Sequence, residues 1–179
     1  MNPRTPTAAH RAGHGQEQTM LESPERQALR AALVQLDAAE QAGRPYDMSV
    51  ALVRVGRAYR RLNALRAAED SLQQALRWAG GSGSIDHEVD LLCELAECAV
   101  QLAEQLGEAE FRGAHAARDR ARDAAFEAST LARRVADAGF ERVALLRASD
   151  VLSRCGDHDD AAWLQSCALG TSLGGSGQG

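Results

Sequence analysis

Between Ser23 and Leu169 the chain is divided by glycine, proline and asparagine into segments whose apolar residues recur every three or four positions. This spacing places the apolar side chains on one face of an α-helix. The breaks between the segments are very short, and helices joined by such turns must pack antiparallel on their neighbours in sequence. The pattern therefore predicts one domain of antiparallel helical hairpins.

The types of apolar residue also favour helices. Ala and Leu dominate, Ile85 is the single isoleucine, and aromatic residues make up 4% of the 179 residues. Ala and Leu have high helix propensity, whereas strands prefer β-branched and aromatic side chains. We predict an all-α fold with a core of mostly small side chains.

Seven helices are expected in this domain, which we place at residues 23–169. Their predicted ranges are about 23–43, 47–62, 64–79, 86–106, 110–138, 140–155 and 158–169. Ser23 and Asp47 are the predicted caps of the first two helices. Residues 1–22 and 170–179 lack apolar periodicity, so both are expected to be disordered tails.

The charge of the chain excludes several classes of function. The formal net charge is -5, and every basic residue is Arg. We predict no nucleic-acid partner, because no basic stripe outweighs the acidic surroundings. Without Lys, neither Schiff-base chemistry nor a P-loop phosphate site is possible.

The sequence also predicts a cytoplasmic location. No segment is apolar enough to span a membrane, and the first residues lack the apolar core of a secretory signal. In a reducing compartment, four cysteines are expected to be small core residues rather than disulfides. They are Cys93, Cys98, Cys155 and Cys167.

Metal, cofactor and catalytic sites are not expected. Cys93 and Cys98 point about 140° apart on a helix, so they do not share a ligating face. His158-Asp159, with His115 upstream, has a weak similarity to the His-Asp pair of helical metal-dependent phosphohydrolases. A turn before a helix explains Asp159 without catalysis. We therefore predict that the protein is not an enzyme.

One segment, LVRVGRAYRRLNALRAAEDSLQQALRWA, resembles a tetratricopeptide repeat. The signature of that family is Trp-x₂-Leu-Gly-x₂-Tyr on one helix and Ala-x₃-Phe on the next. The matching residues in this segment are Leu52, Val55, Gly56, Tyr59, Ala68, Leu72 and Ala75. Gly56 and Ala68 are small where two helices must approach closely, and Tyr59 is the bulky residue beside them.

Two further helix pairs are similar to the family. The last hairpin matches at Gly156-Asp157, Asp160 and Ala161, and a degenerate middle pair lies between it and the first. The small residue of each first helix falls at Gly56, Ala96 and Ser149, and these intervals exceed the usual 34 residues of the family. Extra residues are therefore expected in the GGSGS linker and between Glu108 and Arg122. The N-terminal helix is expected to cap the stack.

The resemblance implies a short right-handed stack of hairpins with a groove lined by the first helix of each pair. It further implies an interaction module that binds a protein or peptide, such as an adaptor or a bacterial secretion chaperone. The alternative is a regulatory domain that senses a ligand or peptide.

The main candidate binding stripe lies on the second helix, beside its core face. It consists of Val50, Val53, Arg57, Arg60 and Arg61. Three guanidinium groups beside two valines suit an extended peptide that carries acidic and apolar residues. The alternative is that the arginines are solvated or pair with acids of the following first helix. Those acids are Asp90, Glu94 and Glu97.

Two other surface features have alternative interpretations. Trp163 faces away from the inward stripe of the last helix, so it is either an anchor for a partner or covered locally, for example by Leu173. The alternating charges from Arg118 to Asp123 are typical of a solvated helix face with local ion pairs.

Overall fold

A computed structural model describes residues 23–81 and 83–174, which form seven α-helices and no strand. The all-α prediction and the expected number of helices are confirmed. The predicted N-terminal tail at 1–22 lies outside the described residues, as do residues 175–179 of the tail predicted at 170–179, whereas residues 170–174 are helical. The helices are α1 (Pro24–Ala42), α2 (Pro45–Arg61), α3 (Leu65–Ala79), α4 (Ile85–Leu106), α5 (Phe111–Ala132), α6 (Ala138–Cys155) and α7 (His158–Gly174).

Local chemistry sets the ends of the first two helices. The Oγ atom of Ser23 accepts a hydrogen bond from the backbone N–H of Arg26, and Gly43 ends α1 with a positive φ of 65°. The predicted Asp47 cap of α2 is wrong, since α2 begins at Pro45. Proline has φ fixed near the helical value and needs no N–H donor in the first turn, so it suits that position.

The boundary between α5 and α6 also differs from the prediction. We expected the fifth helix to reach Ala138, but α5 ends at Ala132. The carboxylate of Asp137 accepts hydrogen bonds from the backbone N–H groups of Gly139 and Phe140, which starts α6. A side chain that caps the next helix therefore sets this boundary. At the other end of the chain, α7 continues past the predicted Leu169 to Gly174.

The helices pack as three hairpins preceded by α1. The hairpins are α2 with α3, α4 with α5, and α6 with α7, while α1 packs on α2. Between hairpins, α3 packs on α4, α5 packs on α6, and α4 packs on α6. The fourth helix therefore joins the first hairpin to the last.

The long middle hairpin explains the irregular repeat spacing. The extra residues that we expected between Glu108 and Arg122 belong largely to α5, which has 22 residues like α4. The side of α5 that packs in the core is lined by alanines, which allow two helix backbones to approach closely. They are Ala114, Ala117, Ala121, Ala124, Ala125, Ala128 and Ala132.

Two ion pairs correct our interpretation of the charged run on α5. Arg120 donates hydrogen bonds to both carboxylate oxygens of Glu69 on α3, at 2.6 and 2.9 Å. Arg122 pairs with Asp157, which precedes α7. The run between Arg118 and Asp123 is therefore not only a solvated face, since two of its arginines connect α5 to other hairpins.

Candidate functional site

The candidate stripe on α2 is partly buried. Val53 is only 7% exposed and belongs to the core, and Val50 is half-buried. The side chain of Val53 packs between α2 and its neighbours and also lines a cavity between α2 and α4. Arg57 and Arg61 are exposed, and Arg60 is half-buried.

Arg57 and Arg60 are paired with acids of α4. The guanidinium of Arg57 lies 2.8 Å from one carboxylate oxygen of Glu94, and that of Arg60 lies 3.0 Å from the other. Arg60 also lies 3.6 Å from Glu97. These contacts match the alternative that we considered, in which the arginines pair with the following first helix.

The ion-pair network continues from α4 to α6. Arg147 of α6 contacts Glu97 at 2.7 Å and Asp90 at 3.4 Å. Along the same side of α4, Glu104 accepts hydrogen bonds from Arg154 of α6. A row of acids on α4 therefore lies between arginines of α2 and arginines of α6. These acids neutralise much of the positive charge that we had predicted to bind a partner.

Two arginines of α2 have no carboxylate partner among the described residues. Arg61 forms no ion pair there, and Arg54 donates a 2.6 Å hydrogen bond to the neutral amide oxygen of Gln35 on α1. Both are exposed. Sequence reasoning missed Arg54, although its position three residues before Arg57 and seven before Arg61 places it on the same side of the helix.

A cavity of about 210 Å³ lies between α2 and α4. Apolar contacts come from Val50, Val53 and Leu91, while charged and polar groups surround them. These groups belong to Arg54, Arg57, His87, Asp90 and Glu94. The cavity can therefore hold one apolar group next to side chains of positive and negative charge.

His87 connects this cavity to the core. Its Nε2 atom lies 2.8 Å from the Oγ atom of the fully buried Ser49, which also lies 2.9 Å from the carbonyl oxygen of Ala75. The hydroxyl has one proton, so both contacts are satisfied when Ser49 donates to Ala75 and His87 Nε2 donates to Ser49. Burial lowers the pKa of His87, the charge of Asp90 opposes this effect, and the charge of Arg57 adds to it.

The lowered pKa of His87 predicts a pH dependence of stability. The unfolded chain, with a histidine pKa of about 6.5, binds this proton more readily than the folded protein does. The free energy of unfolding should therefore decrease as the pH falls from about 7 to 5. His87→Gln keeps a donor for Ser49 and should show a shallower decrease in urea titrations at several pH values. Equal slopes for the two proteins would contradict the assigned role of His87.

A longer cleft lies on the other side of α2, against α1. One part, of about 420 Å³, is lined by alanines of both helices together with Gln35, Arg54, Arg57 and Arg61. The next part, of about 360 Å³, is lined by residues including Ala38, Ala42, Arg44 and Asp47. Asp47 is the single acid in these linings, and it already pairs with Arg44. This cleft is therefore markedly basic, although the chain has a net charge of -5.

Trp163 lies away from the α2 stripe, on α7 of the last hairpin. It is 52% exposed, and the guanidinium of Arg133 stacks over its ring at 4.8 Å from the ring centroid. The side chain of Leu173, which we considered as a local cover, lies outside the described side chains. The structure therefore does not bring Trp163 together with the other candidate residues.

The described residues contain no group of three or more His, Cys, Asp and Glu side chains placed to hold a metal ion. None of the helices in ranges 23–81 and 83–174 is long and apolar enough to cross a membrane. His115 lies near Asp119, its neighbour one turn along α5.

The cysteines are free, and three of them are buried. Burial raises the pKa of Cys93 to about 11 and that of Cys98 to about 12, and it also raises the pKa of Cys155. Cys167 is half-buried.

This difference predicts selective alkylation of the native protein. At pH 8 the thiolate fraction of Cys93 and Cys98 is about one in a thousand or less, and the thiolate is the reactive form. Cys167 should react with iodoacetamide first, and the other three should react fully only after unfolding. Peptide mass spectrometry at timed intervals measures these rates. Labelling of Cys93 as fast as that of Cys167 would contradict the burial described here.

No protein-family model matches the sequence, and no curated protein matches it. Among solved structures, the chain is similar to the crystal structure of BtubC (BKLC) from P. vanneervenii, with 11% sequence identity and a TM-score of 0.31. The match covers 88% of this chain and 94% of that one. A similarity this weak carries no argument about the fold or the function.

Proposed function

We propose that this protein is an interaction module that binds another protein through the exposed arginines of α2. The observation that carries the proposal is the basic α1–α2 cleft, in which Arg54 and Arg61 have no carboxylate partner among the described residues. Exposed cations grouped in an acidic protein favour an acidic partner. The resemblance to tetratricopeptide repeats, with their right-handed stack and adaptor or chaperone functions, supports the same class of activity.

The ion pairs on α4 change which arginines we assign to the site. Arg57 and Arg60 are bound to Glu94, so a partner would have to compete with a nearby carboxylate to reach them. A partner that binds Arg54 and Arg61 does not have to displace a carboxylate. We therefore place the main contacts on the α1 side of α2, with Val50 and the 210 Å³ cavity as an adjoining pocket for an apolar side chain.

Affinity capture from the native host tests this proposal. The wild-type chain, Arg54→Glu/Arg61→Glu and the control Arg77→Glu/Arg112→Glu serve as baits, and all four arginines are exposed. Both variants change the net charge equally. A true partner should be retained by the wild type and the control, and its binding to the α2 variant should weaken by about 2–5 kcal/mol. Equal retention by all three baits would remove this face from the site.

The 210 Å³ cavity favours a second candidate, a ligand-sensing domain. A small molecule with an apolar group and one charge would contact Val53 and Leu91 together with Arg54 or Asp90. Native mass spectrometry of the protein purified from its host measures whether a small molecule is bound. A bound mass that is lost in Val50→Arg would favour this candidate, and an unmodified mass would oppose it.

A further inference from the structure

The first helix is an edge element with an open side. It packs mainly on α2 and buries only two hydrophobic side chains, Ala32 and Ala39. Ala31, Gln35 and Ala38, which line the cleft beside the arginines of α2, are exposed. The side of α1 next to the arginines of α2 therefore has room for another element.

The α1 wall of the cleft is uncharged and consists almost entirely of small side chains. Its residues follow one another at intervals of three and four, and they are Ala28, Ala31, Gln35, Ala38 and Ala42. From the first to the last, this row extends about 21 Å along the helix axis. Small side chains at helical spacing allow another helix to pack at an axial distance of about 8 Å.

The α2 wall of the cleft carries two positive charges at a regular helical spacing. Arg54 and Arg61 are seven residues apart, which is two helical turns or about 10.5 Å along α2. Carboxylates seven residues apart on a helix that lies along the cleft would have the same separation. The positions of these arginines therefore suit a helical partner with acids two turns apart.

The hydrogen-bonding groups of the cleft argue against an extended peptide. An extended backbone needs acceptors for its N–H groups, and an unpaired group in a contact is costly. Two of the side-chain acceptors in the cleft are already partly occupied, because Gln35 binds Arg54 and Asp47 binds Arg44. A helix satisfies its own backbone and requires only side-chain contacts.

We propose that the partner element is an acidic amphipathic α-helix of another protein, which lies in the cleft between α1 and α2. Its carboxylates pair with Arg54 and Arg61, and its small or apolar side chains contact the alanine row of α1. This inference rests on the proposed function and specifies the partner that the same face binds.

Selection from two displayed libraries tests the proposal. One library presents a single randomised helix face on a three-helix scaffold, and the other presents linear peptides with proline at every fourth position, which cannot form helices. Both are selected on the full chain. We expect binders from the helical library with Asp or Glu seven residues apart. Their affinity should fall at least tenfold for Arg54→Gln/Arg61→Gln and change less than twofold for Arg77→Gln/Arg112→Gln.

The other outcomes separate the two proposals. Binders from the linear library alone, with the same dependence on Arg54 and Arg61, would overturn the helical partner but leave the proposed function intact. Binders that tolerate both double variants, or no binders from either library, would overturn the inference. Self-association of the wild type through Arg54 and Arg61 would assign the cleft to a second copy and overturn the proposal.

Discussion

Gly56→Leu should destabilise the protein by about 3 kcal/mol, because there is no space for a side chain where α2 crosses α3. A Cβ atom at this position would lie 2.9 Å from Cγ of Leu72 and 3.3 Å from the carbonyl oxygen of Ala68. Both neighbours are fully buried, so neither can move into solvent. The overpacking outweighs the gain of about 1 kcal/mol that replacing a mid-helix glycine normally brings.

Urea unfolding followed by circular dichroism measures this loss. Gly80→Leu is a matched control, since Gly80 has helical backbone angles and no atom within 4 Å of an added Cβ. The control should change the free energy of unfolding by no more than about 0.5 kcal/mol. A rise in the melting temperature for both Gly56→Ala and Gly56→Leu would show that α2 and α3 do not meet at this glycine.

Arg120→Met should be about as damaging, with an expected loss of about 3 kcal/mol. The carboxylate of Glu69 is 7% exposed, and both of its oxygens accept hydrogen bonds from Arg120. Removal of the arginine leaves a buried charge without its partner, which is costlier than the loss of a surface ion pair. Adding Glu69→Met to Arg120→Met should recover most of the stability, since the unpaired charge is then removed as well.

An exposed ion pair provides the comparison. Arg66 and Glu110 lie 2.7 Å apart, but their side chains are 68% and 58% exposed. Arg66→Met should therefore cost less than about 1 kcal/mol. If Arg120→Met and Arg66→Met lower the free energy of unfolding equally, Glu69 is solvated and the α3–α5 contact differs from the one described.

The helices could be predicted from the sequence because apolar spacing and turn residues act locally. Asn63, the asparagine that separates the second and third helical segments, has a φ of 57°. The end of α5 was missed because no glycine or proline marks it and the cap comes from Asp137. The long helices of the middle hairpin were predicted, at 86–106 and 110–138, and alanines such as Ala114 and Ala117 pack fully in its core.

The candidate site was only partly predictable, since its charges depend on contacts between helices. Helical spacing placed Arg57 and Arg61 on one side of α2, but it could not decide which arginine meets a carboxylate. Glu94 binds Arg57 and Arg60 from the next hairpin, 37 and 34 residues away in sequence respectively. The row of alanines on α1 was also overlooked, because small residues carry no chemical signal until a neighbouring helix forms a cleft beside them.

The most direct test of the binding face is the NMR spectrum of the arginine side chains. The Nε–Hε signals can be assigned by single Arg→Gln variants, and a helical ligand selected on the wild type is then titrated into the labelled protein. The signals of Arg54 and Arg61 should shift most, and that of Arg133, beside Trp163, should stay unchanged. Shifts confined to Arg133, with Arg54 and Arg61 unaffected, would place the binding surface on the last hairpin and contradict the assignment to α1 and α2.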